Sequence, residues 1–338
     1  PAGAGKTTLA ASYIQSRRLR HLWYRLDGRD ADPATFFYYL REAAARIAPR
    51  ARRVLPLLTP EYTLGLGAFT RNFFEQLGAL LKPPFLVVLD NYQELPDNAP
   101  LHALLSDGLR ALPEALNLLV LSRGDPPPAF AALRAESRLA SLTAESLALS
   151  LVETRALARR YHLKQLTPQA IANLHERIHG WAAGAVLILE EAASQRRTAP
   201  RFDQPVGQAL FDYFATEILQ HAPAVHRKVL LETALLPQVS AEAARALTGE
   251  QDAGRILAEF ARKGYFTYPL AGGGPVYQYH PLFREFLLAR LQREHTAEDL
   301  AALRCRAAAF AEGAGNAEGA FERTVQCSIG AVKAATKG

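Results

Sequence analysis

The first ten residues, PAGAGKTTLA, gather the groups of this chain best suited to chemistry. Gly5-Lys6-Thr7 closes the phosphate-loop pattern G-x-x-x-x-G-K-[ST]. Counting back, the first glycine of that pattern would fall one residue ahead of Pro1, and the strand leading into the loop would lie ahead of it too. The sequence is therefore read as an internal segment of a longer protein, and by itself it is expected to bind nucleotide poorly. In the loop that is present, backbone N–H groups of Gly3, Ala4, Gly5, Lys6, Thr7 and Thr8 would cradle phosphates at a helix start. The Lys6 ammonium would reach the β/γ-phosphates and the Thr7 hydroxyl would bind Mg2+. A glycine-rich turn alone is a weak sign. Here it opens a helix and is followed downstream by FLVVLD, an apolar strand ending on Asp90. A carboxylate at such a strand end holds the magnesium shell, so Asp90 joins Thr7 as an expected metal ligand. The alternative for Asp90 is a strand-end cap of the next turn.

A further strand, NLLVLSR, ends on Ser122 and Arg123. Arg123 is placed to sense the γ-phosphate, or else to pair with a surface acid. Beside Asp90, where a turnover ATPase usually carries a second acid to activate water, the chain has Asn91. An amide can orient a water but cannot take its proton. Glu94, three residues on, is the only nearby substitute. The site therefore reads as one of slow turnover, a switch more than an engine, with Asp90 and Arg123 as its catalytic residues. A second motif, His175-Glu176-x-x-His179, matches the zinc-protease pattern H-E-x-x-H. Its histidines flank the buried stripe Ile171, Leu174 and Ile178, and Gly180 ends the helix at once. Glu190 or Glu191 could be offered as a third ligand but nothing else makes a cleft there, so a helix terminus is the preferred reading.

The elements needed to position these groups alternate strand and helix over the first 143 residues, the pattern of a parallel α/β sheet. Residues 7–15 read as helix and 21–27 as strand. Asp32-Pro33 is a helix start, with Asp as cap and Pro in the first turn. Strands follow over 85–90 and 117–123, with a fifth candidate at 138–142. The polar endings Asp27, Asp90, Ser122 and Arg123 point to one site, because open parallel sheets bind ligands at strand carboxyl ends. From 144 to 193 the pattern is all helical, and 194–206 is a polar linker. Residues 207–295 give helices over 208–220, 224–235, 241–247 and 253–263, then the hairpin FTYPL-AGGG-PVYQYH, then a helix from Pro281. That order describes a winged helix, whose hairpin LAGGGPVYQY carries no Lys or Arg for gripping DNA. Thr296-x-x-Asp299 reads as the capping box of a helix over 300–312, and GAGN turns it into a second from Ala317, so 296–338 would begin a TPR-like helical repeat array.

Composition agrees with several globular domains: 338 residues, 49% hydrophobic and 21% charged. No apolar run is long enough to cross a bilayer and no leader is visible. The net charge of +6 is spread along the chain, apart from loose clusters at Arg17-Arg18-Arg20 and Arg46 to Arg53, which read as solvated helix faces. The two cysteines, Cys305 and Cys327, have no metal-ligand spacing and imply no disulfide framework, and a reducing cytoplasm is the expected setting.

Taken in order, PAGAGKTT, LWYRLDGRDADPATFFYYL, LVVLDNYQEL, LLVLSRGDPP, HGWAAG, LFDYFATEIL and VYQYHPLFREFLLARL resemble the MalT-like, large LuxR-type transcriptional regulators, members of the STAND class of P-loop ATPases. The resemblance covers essentially the whole chain. It implies a nucleotide-binding domain, a helical domain and a winged helix closed around ADP at rest. It further implies a helical-repeat sensor for a small-molecule or protein inducer, self-association once ATP and inducer are bound, and DNA contact through an effector domain outside these residues. By the same resemblance Lys6 and Thr7 hold phosphate and metal, Asp90 completes the Mg2+ site, Arg123 is the sensor, and His280 contacts the ADP phosphate. Two departures stand out: LDNY where many relatives have LDDY, and Gly180-Trp181-Ala182-Ala183-Gly184 where relatives often have GWPAG. Two other functions stay open on the residues alone: a turnover ATPase of AAA type, and an interaction scaffold with a vestigial nucleotide site.

Overall fold

The structure is a computed structural model. It describes residues 1–313, except 63, 82, 83, 113–115, 162, 164, 165, 195–201, 203–206, 221 and 271–274. The chain divides into two compact units, one formed by Gly5–Leu147 and the other by Pro1–Ala4 together with Ala148–Gly338.

In the first unit, α1 (Lys6–Arg17) precedes β1 (His21–Arg25), and α2 (Pro33–Ile47), α3 (Ala51–Val54) and α4 (Leu66–Leu81) lead to β2 (Phe85–Asp90). Helix α5 (Leu101–Ala111), β3 (Leu116–Val120) and α6 (Ala131–Ala135) complete it. The strands lie in the order β1-β2-β3, all parallel, with Arg25 opposite Asp90. Parallel neighbours need crossovers, and the helices between them supply these. All six residues of β2 are buried, as a central strand covered on both faces requires. One face packs on Phe36, Phe37, Phe69, Phe73 and Phe74, where Phe37 meets Phe69 and Phe73 edge to face at 5.0 and 4.9 Å. The other packs on Ala10 and Ile14 of α1. Helix α2 starts where the Asp32-Pro33 pair predicts, the Asp32 carboxylate accepting from the Thr35 N–H.

Residues 138–142 are not the strand proposed from sequence. The chain closes α6 with Ser137 at φ 56°, and Arg138 spends its guanidinium on the carbonyls of Leu109 and Arg110 at the end of α5. Leu142 is left exposed in irregular backbone.

The second unit contains α7 (Leu151–Arg160), α8 (Pro168–Ile178), α9 (Ala182–Ser194) and α10 (Gln208–Phe214), the last continuing into a π-helical turn over Ala215–Leu219. It goes on through α11 (Ala224–Thr233), β4 (Val239–Ser240), α12 (Ala241–Thr248), α13 (Ala253–Arg262), β5 (Thr267–Leu270), β6 (Val276–Tyr279), α14 (Pro281–Glu294) and α15 (Ala297–Gly313). Strands β5 and β6 pair antiparallel as the hairpin pattern requires, and β4 adds to β6, giving the order β4-β6-β5. Local chemistry sets the helix starts: a reciprocal Ser150–Glu153 capping box at α7, Thr167 followed by Pro168 at α8, Ser240 at α12. The Thr296 hydroxyl accepts from the Asp299 N–H at the head of α15. The second repeat helix, the AGGG turn and most of the linker expected from sequence lie outside the described residues. Among the described residues no helix is long and apolar enough to cross a membrane.

Candidate functional site

Gly5 stands at φ 84°, a left-handed conformation suited to glycine, and its carbonyl starts α1 by accepting from the Leu9 N–H. No side chain caps this helix start. The first-turn N–H groups of Lys6, Thr7 and Thr8 thus face outward with the positive end of the helix dipole behind them. The Thr7 hydroxyl lies 3.5 Å from each carboxylate oxygen of Asp90. Asp90 itself is buried, at the end of the central strand. Lys6 sits close enough to Arg123 and Asp90 to feel both: burial first, then the Arg123 charge, lowers its pKa from 10.5 to about 8, while Asp90 acts in the opposite sense. Lys6, Thr7, Asp90 and Arg123, chosen from sequence, therefore meet at one end of the sheet.

Three neighbours of this cluster carry no motif. Asn91, at φ 61°, donates its N–H to the Asp90 carboxylate at 2.9 Å. With its amide turned so that the oxygen faces Arg25, that oxygen accepts from Arg25 Nε at 2.9 Å and Nη2 at 3.2 Å. Gln93 accepts from the Arg123 N–H at 3.2 Å and so fixes the backbone after β3. Arg25 could have been suspected from a cation closing a β-strand, but only the register that sets it opposite Asp90 gives it a place. Asp27 belongs elsewhere: its carboxylate caps the turn Gly28–Ala31 and pairs with Arg29 in solvent. The Ser122 hydroxyl accepts from the Gly124 N–H. Glu94 is exposed and accepts from Gln93.

The remaining residues chosen from sequence, Gly3, Ala4 and His280, belong to the second unit. His280 is buried at the head of α14. Its Nδ1 accepts from the Leu282 N–H at 3.3 Å, which leaves the proton on Nε2, and Nε2 donates to the Ile178 carbonyl at 3.0 Å. Burial lowers its pKa from 6.5 to about 4, helped by nearby His179 and opposed by the bond to Ile178. In H-E-x-x-H, His175 Nδ1 lies 3.1 Å from the Thr154 hydroxyl, and His179 ends α8 at φ 47°. Among the described residues no three His, Cys, Asp or Glu side chains converge on a metal-sized site.

The Thr7 and Asp90 oxygens suit a small hard cation, since Mg2+ takes oxygen ligands at about 2.1 Å and keeps several waters. The donor set therefore fits magnesium.

Comparison with known proteins agrees with this architecture. Residues 215–299 match the family model of the MalT winged helix domain. Over 300 residues the chain is 32% identical to the HTH-type transcriptional regulator MalT of Serratia proteamaculans, an alignment covering 87% of this chain and 33% of that protein. It is 30% identical over 304 residues to MalT of Cronobacter sakazakii, covering 88% and 33%. The chain thus spans about a third of the length of the curated relatives it matches. Among solved structures, the Walker-type ATPase of Pyrococcus abyssi superposes with a TM-score of 0.51 at 15% identity, covering 85% of this chain and 88% of that one, a likeness of fold. The chain is thus MalT-like, with a P-loop ATPase fold followed by helices and a MalT-type winged helix domain.

Proposed function

We propose that these residues form the nucleotide-binding core of an ATP-dependent transcriptional regulator, a switch that holds ADP at rest and ATP when active. The observation carrying this reading is the convergence of the Lys6 ammonium, the Thr7 hydroxyl and the Asp90 carboxylate beside an uncapped helix start. The α1 N–H groups would bind the β-phosphate, Lys6 would bridge to the γ-phosphate, and Arg123 would touch the γ-phosphate when it is present. Thr7 and Asp90 would hold Mg2+, which supplies charge to the β/γ-oxygens when bound. Water activation is the weak step. The group next to Asp90 is an amide whose oxygen Arg25 engages, so it offers no base. Slow turnover follows, which suits a switch.

Domain limits at 143, 193, 206 and 295, the TPR-like array and the inducer it would bind are parts of the same proposal. So are self-association with ATP and inducer, contact with DNA through a further domain, and a cytoplasmic setting. Within it His280 contacts the ADP phosphate, for which Nε2 must leave the Ile178 carbonyl. The test is the nucleotide carried by the purified full-length protein. About one equivalent of ADP or ATP is expected, and none with Lys6→Ala. Equal loading of both proteins, or none of either, refutes the reading.

A further inference from the structure

The loop residues ahead of Gly5 belong to the second unit, and their anchor within it has a defined chemistry. The Ala2 carbonyl, in a buried residue, accepts from the indole N–H of Trp181 at 2.9 Å. The next carbonyl, that of Gly3, accepts from the Ala183 N–H in the first turn of α9 at 3.0 Å. Gly3 is fixed by the same contact. It adopts φ +66°, and a Cβ there would lie 2.5 Å from Ala183 Cβ and 2.9 Å from Trp181 Nε1.

The indole cannot drift from this position. It stacks on Phe214 at 5.4 Å and 20°, and it meets Phe266 at 4.8 Å and His280 at 5.8 Å edge to face. Gly184 makes room for it, since a Cβ there would lie 2.3 Å from the indole ring. Gly180, at φ 74°, turns the chain out of α8 just before the indole.

Peptide geometry gives the anchor its consequence. In a planar trans peptide the C=O and the N–H point in opposite directions. The Ala2 carbonyl shares its peptide with the Gly3 N–H, and the Gly3 carbonyl shares its peptide with the Ala4 N–H. Holding both carbonyls on the Trp181 side therefore aims both N–H groups the opposite way. Successive N–H groups aimed together make an anion-binding concavity.

We propose that Trp181 and Ala183 are positioning residues of the phosphate loop, which orient the Gly3 and Ala4 N–H groups toward a bound phosphate. The inference rests on the loop being a nucleotide site. Because the indole also packs on Phe266 and His280, occupancy of the loop is registered in the winged helix through this one side chain.

The experiment compares the full-length protein with its Trp181→Phe and Lys6→Ala variants in ADP titrations with Mg2+. Trp181→Phe keeps an aromatic ring in the stack and removes the donor together with part of the buried indole, so a modest fall in melting temperature without nucleotide is expected while its ADP Kd rises about tenfold. In the parent protein, the emission difference from Trp181→Phe isolates the indole, and it should change with ADP along the binding curve. Unchanged affinity in Trp181→Phe, with binding lost in Lys6→Ala, overturns the inference and leaves the nucleotide site standing. Wild-type affinity in Lys6→Ala instead removes the reading on which the inference rests. If Trp181→Phe does not fold, Ala183→Pro deletes the other donor at a helix position that tolerates proline, and the same rise in Kd is expected. An ADP titration of the parent protein that leaves the emission unmoved also overturns the proposal.

Discussion

The buried imidazole of His280 makes the stability of the second unit depend on pH in a way that can be worked out in advance. Both ring nitrogens are used, Nε2 as donor to Ile178 and Nδ1 as acceptor from Leu282, so the fold holds the ring neutral. Its pKa lies at about 4 in the fold against 6.5 for the ordinary group. The unfolded chain therefore takes up a proton below the ordinary value that the folded chain refuses. Stability is full above that value, falls with pH between the two, and stops falling below the folded pKa. By pH 5 the unfolded ring is almost wholly protonated and the folded ring almost wholly neutral, so the loss relative to pH 7 is about 2 kcal/mol, at about 1.4 kcal/mol per pKa unit. His179, at 5.6 Å between ring centres, adds to the shift by its charge, but burial is the larger cause. The assay is urea unfolding at pH 7 and pH 5, followed by tryptophan emission, for the protein and for His280→Asn. Asparagine keeps a capping acceptor at the head of α14 and does not titrate. Subtracting the two pH dependences cancels the carboxylates common to both. The wild type should lose about 2 kcal/mol more than the variant on going from pH 7 to pH 5. Equal losses would show that the ring is not held neutral, and the reasoning would fail.

The other predictions concern the loop and its neighbours. Lys6 is charged below its pKa of about 8, so nucleotide affinity should be steady up to that pH and fall above it, by about tenfold per pH unit at most. Titrations at pH 7 and 9 check this, and equal affinities would contradict the lysine's role. Restoring an acid beside Asp90 by Asn91→Asp should leave ATP hydrolysis within about twofold, because Arg25 would neutralise the new carboxylate at the place where it meets the amide now. Adding Arg25→Ser should free that carboxylate and raise single-turnover hydrolysis by about a hundredfold or more. A large gain from Asn91→Asp alone would show that Arg25 does not control the position.

Which of these features could be read from sequence follows from how local each one is. The Asp32-Pro33 start of α2 and the Thr296-Asp299 cap of α15 are set within a few residues, and both are present as read. The run FLVVLD sits at the centre of its sheet because a strand covered on both faces must be apolar throughout. Helix α4 was not read from the sequence, although Phe69, Phe73, Leu77 and Leu81 recur at helical spacing and are all buried. Residues 138–142 showed a strand-like pattern, but a strand also needs a partner, and Arg138 turns to α5 instead. In the candidate site, the meeting of Lys6, Thr7 and Asp90 was legible because the loop pattern opens α1 and an apolar strand ends on Asp90 at the same end of the sheet. Arg25 was not, since its place depends on register across β1 and β2. Trp181 was seen only as one letter in HGWAAG, because its partner Ala2 lies 179 positions away in the chain.

The central claim, that the loop holds a nucleotide through Lys6, is tested most directly by calorimetric titration of the full-length protein with ADP and with ATP in the presence of Mg2+. The account predicts saturable binding of one nucleotide per chain, abolished by Lys6→Ala and much weakened for ATP with Asp90→Asn. Binding indifferent to both substitutions, or no binding by the parent protein, would contradict it.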